Sequence, residues 1–247
     1  MITAIALTGL PEIAPGDDLA GLIAGAAGAL GDTDVLVVAH KVVSKAEGRV
    51  VRLADVVPDA RARTLAAGQG KDPRQVQVVL DESTEVLRAE RGVLVCRTRH
   101  GFVCANAGVD ASNAPAPDTL VLLPVDPDAS ARALRARLRT LTGAAPAVVV
   151  ADSFGRAWRH GQCDVALGIA GLAPLEDWRG RHDSVGLPLR ATWIAVADEA
   201  AAAADLARTK DSREPVVLVR GLDRHVIAAD GPGASTLLRP IEEDLFR

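Results

Sequence analysis

Residues 34–39 (DVLVVA), 147–151 (AVVVA) and 216–219 (VVLV) are short apolar runs rich in β-branched side chains, and they restrict the possible folds more than any other feature. Runs this short, bounded by turn-forming or charged residues, have the length of strands. Helical patterns lie at residues 17–30 (capped by Asp17 or Asp18), 59–68, 128–142 and the Ala-rich stretch 198–208. Another covers residues 73–88, where Val76, Val79, Leu80, Thr84 and Leu87 make an apolar face. Strands are also expected at residues 2–7, 120–123 and 191–197, with a hairpin from 92–96 and 102–105 and a β segment or irregular edge at 49–56. Residues 40–48 read as a turn and the Pro-rich 114–118 as a loop. Hairpins mixed with β-helix-β passages point to an α+β (mixed α/β) fold without a repeat or a long linker.

A chain of 247 residues buries a sizeable core, and with 49% hydrophobic but only 2% aromatic residues that core is built from Val, Leu, Ile and Ala. A net charge of -4 supplies no basic field, which argues against a nucleic-acid partner. The three cysteines, Cys96, Cys104 and Cys163, lack metal-type spacing and suit reduced thiols in a cytoplasmic protein. The opening residues have no positive flank and meet Pro11 and acids early, so neither a signal peptide nor a membrane span is expected.

Two carboxylates stand out. Asp152 follows the run at 147–151 and precedes Ser153, while Asp110 lies in GFVCANAGVDASN among small polar residues that let a backbone approach a ligand. In open sheets ligands gather where strands end, and carboxylates there commonly serve a hard divalent cation with phosphates. Each has a plain alternative: a helix cap or Asx turn for Asp152, and a tight turn for Asp110. Lys45, with Lys41 and Ser44 nearby, is placed to neutralise a phosphate or simply to be solvated. Arg156, Arg159 and His160 form an anion-binding group or a basic rim, and Asp81, Glu82 and Glu85 a solvated face. No Walker A loop, GxSxG elbow, GxGxxG fingerprint, CxxC pair or zinc-type histidine pairing occurs. The residues by themselves leave open a metal-dependent phosphohydrolase or phosphotransferase, and a non-catalytic nucleotide-binding module.

The ordered series GLPE, PGDDL, VVAHKVVSKAEGRV, ESTEVLR, HGFVCANAGVDASN, ADSFGRAWRHG, ALGIAGLAPLEDWRGRHD and ADEAAAAADL resembles the coenzyme F420 gamma-glutamyl ligase family over nearly the whole chain. It is also similar to the amino-terminal half of bacterial bifunctional enzymes of that kind, and the ending RPIEEDLFR suits either version. The resemblance implies one ligase domain over residues 1–247, an unusual mixed-sheet fold and a homodimer. It further implies GTP- and divalent-metal-dependent addition of L-glutamate to a deazaflavin coenzyme precursor, through an acyl phosphate and then by gamma-linked extension. Magnesium or manganese, as two ions, and potassium are the cations implied. Carried over by motif, Asp110 and Asp152 hold metal, Ser153 helps hold a second ion, and Asn113 touches the nucleotide. Leu10, Pro11, Glu12, Ile13, His40, Lys41 and Lys45 line the GTP site, with Thr209, Lys210 and Asp211 in its later loop. Asp110, Asp152 and Lys45 carry the chemistry. In that loop the family usually has a glycine followed by a polar or acidic residue, whereas Thr209 and Lys210 stand here, so a different loop path and an altered second-metal set are expected.

Overall fold

The computed structural model describes residues 1–244; the last three residues of the RPIEEDLFR ending lie outside it. The chain opens with β1 (Thr3–Ala6), α1 (Leu19–Ala27), β2 (Val35–Ala39), α2 (His40–Ala46) and β3 (Val50–Arg52). There follow α3 (Ala60–Gln69), α4 (Pro73–Asp81), β4 (Ser83–Glu90), β5 (Val93–Thr98), β6 (Val103–Ala105) and β7 (Thr119–Val121). The second half contains α5 (Pro127–Thr142), β8 (Ala147–Arg156), β9 (Arg159–Ala170), β10 (Glu176–Asp177), β11 (Trp193–Ile194), α6 (Val196–Asp205) and β12 (Val216–Arg220).

The central sheet has the order β1-β12-β2-β8-β9. β2 and β8 are parallel, from Val35↔Ala147 to Ala39↔Ala151, and the other neighbours are antiparallel, so the sheet is mixed. The apolar runs are continuous because both faces of these strands are covered. Leu36, Val38, Val148 and Val150 pack towards α1 and α5 with Leu19, Ile23, Ala131 and Leu138. The alternate set, Val35, Val37, Val149 and Ile169, packs against Ala197, Ala201 and Ala204 of α6. Small alanines let α6 lie close to the sheet, and on the other side a Cβ at Gly168 would fall 2.1 Å from the Pro127 carbonyl oxygen of α5.

A second sheet, β4-β5-β6, backs onto α3 and α4 through Ala62, Ala66, Val76, Val79, Leu94 and Cys96. Phe102, Leu123 and Leu167, with Phe154 and Val165 against them, join this part to the β8–β9 hairpin. No helix among the described residues is long and apolar enough to cross a membrane, and all three cysteines are free.

Four expectations are corrected. Residues 40–46 are not part of a turn but form α2, which buries Val42, Val43, Ser44 and Lys45 because Val42 and Val43 join the core beneath α1; the expected turn is confined to Glu47 and Gly48. The helix expected over 73–88 stops at Asp81, and β4 begins at Ser83, where pairing with β5 overrides an apolar spacing that suited either structure. Residues 191–197 are mostly not strand, since Trp193–Ile194 pairs only with Glu176–Asp177 and Val196 opens α6. Asp152 is not at a strand outlet: β8 continues to Arg156 and pairs with β9, a strand that residue patterning did not single out. The hairpin 92–105, the loop at 114–118 and the remaining helices and strands lie where their patterns place them.

Candidate active site

β2 runs straight into α2, which sets His40 and Lys41 at the end of the central sheet. The Lys41 Nζ donates to Asp110 Oδ2 at 2.6 Å and to Ser112 Oγ at 2.6 Å. The Ser112 amide and hydroxyl also donate to that carboxylate, at 2.7 and 2.8 Å. Asp110 is fixed by a two-way backbone bridge to Val121, at 3.0 and 2.8 Å. The turn that delivers it holds Asn106, Ala107 and Gly108 at φ 51, 53 and 72. At Gly108 a Cβ would meet the Leu123 side chain at 2.7 Å, so only glycine fits. Burial is the largest influence on the Asp110 carboxyl and acts to raise its pKa, but the bonds and charge from Lys41 and Ser112 outweigh it and hold the group below its ordinary value. Asn113 follows in the exposed loop with φ 53.

Asp152 approaches the same place from β8. His40 is only 1% exposed, and its Nε2 lies 3.4 Å from Asp152 Oδ1 yet has no hydrogen-bond partner. The Nδ1 is 3.4 Å from Ser44 Oγ. His40 and Lys41 are consecutive in the first turn of α2, so that turn contacts both carboxylates, Asp152 through His40 and Asp110 through Lys41. Cys104 also senses Asp152: burial, then the Asp152 charge, pushes its thiol up to about 12, which makes it an inert side chain and not a nucleophile.

One turn along α2, Lys45 is almost wholly buried and forms an ion pair with Glu12, whose side chain is exposed. Glu12 and Pro11 project from a loop anchored by Ile13 in the core and Leu10 packed against it, so residues 10–13 are seated at the Lys45 ammonium.

The other side of β8 is built differently. Neighbouring residues of a strand face opposite ways, and Val148 and Val150 lie in the α5-side core while Val149 and Ala151 lie in the α6-side core. Asp152 therefore faces α2, and Ser153 faces the α6 side. There Ser153 Oγ donates to Asp164 Oδ1 at 2.5 Å, and Lys210 Nζ donates to Ser153 Oγ at 2.6 Å and to Asp205 Oδ1 at 3.0 Å. The Lys210 ammonium is also 3.8 Å from Asp164, which is 1% exposed and ion-paired with Arg208 at 2.8 Å. Thr209 donates to Asp211 at 2.7 Å, and this bond draws the Asp211 pKa down. The left-handed residue of this loop is Arg213, at φ 58, and not Thr209, so the β-branched residue is accommodated by moving the reversal along the chain.

The structure thus pairs Lys41 with Asp110, sets His40 beside Asp152 and pairs Lys45 with Glu12, all from α2, while Ser153 and Lys210 form a separate corner. Asp164, Asp205 and Arg208 were not legible as site residues; a lone acid inside the apolar part of β9 was the one available signal. Arg156, Arg159 and His160 stand exposed at the hairpin tip, where Arg156 Nη2 donates to the His160 carbonyl at 3.1 Å. Glu82, expected on a solvated face, is instead partly buried and paired with Arg49 at 2.7 Å, because the end of α4 turns it inward.

No group of three or more His, Cys, Asp or Glu side chains is disposed to hold a metal ion among the described residues. Two hard carboxylates that leave several coordination positions for phosphate oxygens nevertheless fit magnesium or manganese, which take only one or two protein carboxylates beside a nucleotide. Asp110 and Asp152 are carboxylates of that kind, although Lys41 occupies one Asp110 oxygen in this structure. Ser153 Oγ donates to Asp164 and accepts from Lys210, so a second ion at this hydroxyl would contend with the ammonium already there.

The family described as F420-0:Gamma-glutamyl ligase matches residues 9–221. The chain is 43% identical to the coenzyme F420:L-glutamate ligase of Methanothermobacter thermautotrophicus, over 100% of this chain and 99% of that protein. It is 44% identical to the enzyme of the same name from Methanopyrus kandleri, covering 96% and 94% of the two chains, and 40% identical to that of Methanocaldococcus jannaschii, covering 87% and 85%. Spanning its relatives nearly end to end, with the carboxylate and lysine pairs of the α2 corner inside the matched segment, the chain belongs to the F420-0 gamma-glutamyl ligase family.

Proposed function

We propose that this chain is a coenzyme F420:L-glutamate ligase that uses GTP and a divalent cation to join L-glutamate to a deazaflavin precursor and then extends the product through gamma linkages. The observation that supports this reading, beside the family, is that three residues of α2 each face a carboxylate: His40 lies by Asp152, Lys41 pairs with Asp110 and Lys45 with Glu12.

Joining a carboxylate to an amine in water is uphill, so the carboxylate must first become an electrophile. A carboxylate oxygen of the precursor attacks the γ-phosphorus of GTP, the bond to the bridging oxygen breaks, and GDP leaves with that electron pair. The glutamate amine then attacks the acyl carbon, phosphate departs, and the amine proton is lost. The first step sets one anion against another, and its barrier falls when both are positioned and their charge is offset. Asp110 and Asp152 hold the magnesium or manganese ion, which when bound neutralises phosphate charge. Lys41 and Lys45, each held by a carboxylate, exchange that partner for a phosphate oxygen. Lys45 is the better placed, because its Glu12 partner is exposed and free to swing away while the ammonium is already buried. Residues 10–13 and Asn113 frame the nucleotide. His40 orients Asp152 from behind.

Residues 1–247 act as one ligase domain, in a cytoplasmic homodimer with potassium as a monovalent activator. Incubation with the precursor, GTP, manganese and L-glutamate, followed by mass spectrometry, should give a series of glutamate additions with GDP formed in step. GDP release that continues unchanged without glutamate and precursor would favour a phosphohydrolase instead.

A further inference from the structure

Ser153 is the position at which the family pattern puts a second metal ion, but in this chain an amine already stands there. The Lys210 ammonium is 2.6 Å from Ser153 Oγ, 3.0 Å from Asp205 Oδ1 and 3.8 Å from Asp164 Oδ1, an arrangement of oxygens such as a small cation would gather. Asp164 has Arg208 on its other oxygen, so two carboxylates here are matched by two cationic side chains. A divalent ion entering this corner would have to expel Lys210 and would then face Arg208 across the same carboxylate. Asp211 offers no replacement, since its carboxylate is bonded to Thr209.

We propose that Lys210 is a resident cation of the Ser153 corner, standing where a second divalent ion would otherwise bind, and that this ligase works with one divalent ion per chain. The inference rests on the reading of Asp110 and Asp152 as the holders of a nucleotide-bound ion. Its physical basis is that a tethered ammonium supplies one positive charge without having to be captured from solution, and its side chain, 69% exposed, is long enough to follow a phosphate group.

The test counts manganese ions bound to the intact chain in the presence of a slowly hydrolysed GTP analogue, by electron paramagnetic resonance of free manganese. Wild type should bind one ion per chain, Asp152→Asn none, and Lys210→Glu two, because the substitution replaces the ammonium with a ligand beside Ser153 and Asp205. Two ions on wild type, or still only one on Lys210→Glu with an unchanged melting temperature, would overturn the proposal. No ion on wild type at saturating analogue would overturn the metal reading itself, and the proposal with it. If Lys210→Glu unfolds, Lys210→Gln takes its place; a nucleotide affinity for Lys210→Gln that becomes at least tenfold more dependent on manganese supports the resident cation, and an unchanged dependence counts against it.

Discussion

The two faces of β8 carry carboxylates in opposite electrostatic circumstances. On the α2 face, Asp110 is bonded by Lys41 and by the amide and hydroxyl of Ser112, while Asp152 lies beside the His40 imidazole without a hydrogen bond to it. On the α6 face, Asp164 is buried and receives Arg208, Ser153 and, at longer range, Lys210. Asp152 has only an unbonded imidazole beside it, whereas Asp164 carries Ser153 on one oxygen and Arg208 on the other. A carboxylate's capacity as a ligand is therefore decided by what else satisfies its oxygens, since a buried charge that already has its partners gains little from a new one.

Breaking the α2 face should have the largest effect. Asp152→Asn removes a charge at nearly constant shape, and single-turnover ligation at saturating manganese should fall on the order of 100-fold or more, with the melting temperature little changed. The α6 face should respond in the reverse sense: Asp164→Asn leaves Arg208 without its ionic partner and should cost about 3–5 kcal/mol in urea unfolding. Ligation by Asp164→Asn, measured at a temperature where the variant remains folded, should retain most of the wild-type rate. If Asp152→Asn unfolds and Asp164→Asn merely loses turnover, the assignment of the two faces is inverted.

Lys45→Ala should raise the KM for GTP about tenfold while kcat changes less, as expected when a charge-assisted contact to a phosphate is lost. An unchanged KM with normal melting would remove Lys45 from the nucleotide site. The smallest effect is one of pH. Asp198, near the start of α6, accepts a bond from the Ala166 amide at 2.9 Å, and burial raises its pKa above the ordinary value in spite of that bond. The folded state therefore holds this proton more tightly than the unfolded chain. Stability from this group is fully present below the unfolded pKa and is lost as pH rises through the folded one. Asp198→Asn keeps the acceptor oxygen and should match wild type at acid pH but exceed it near neutrality in urea unfolding measured across pH; a variant less stable than wild type at neutral pH would contradict the sign.

Legibility differed by kind of element. Strands such as β2 and β12, buried on both faces, announced themselves as apolar runs, and α5 did so by its spacing between Asp126 and Gly143. α2 was obscured because His40, Lys41, Ser44 and Lys45 look like surface residues, and only contact with the core and with Glu12 makes Lys45 a buried one. β4 was obscured because Thr84 and Leu87 continue a helical spacing from α4, and the choice is made by pairing with β5. Among the site residues, Asp110, Asp152 and the lysines were legible as types, but their partners were not: nothing near Asp152 in sequence indicates His40, and nothing near Ser153 indicates Lys210.

The order of residues alone established a mixed α/β chain with a Val-, Leu- and Ala-built core, and singled out Asp110, Asp152, Lys41 and Lys45 as candidates, because side-chain type and periodicity are local properties. Which face of β8 each carboxylate takes, and which cation reaches it first, was decided by the tertiary structure. The alternation of a strand sends Asp152 and Ser153 to opposite sides, and long-range packing of α2 and α6 then supplies an open partner to one and a closed ion network to the other.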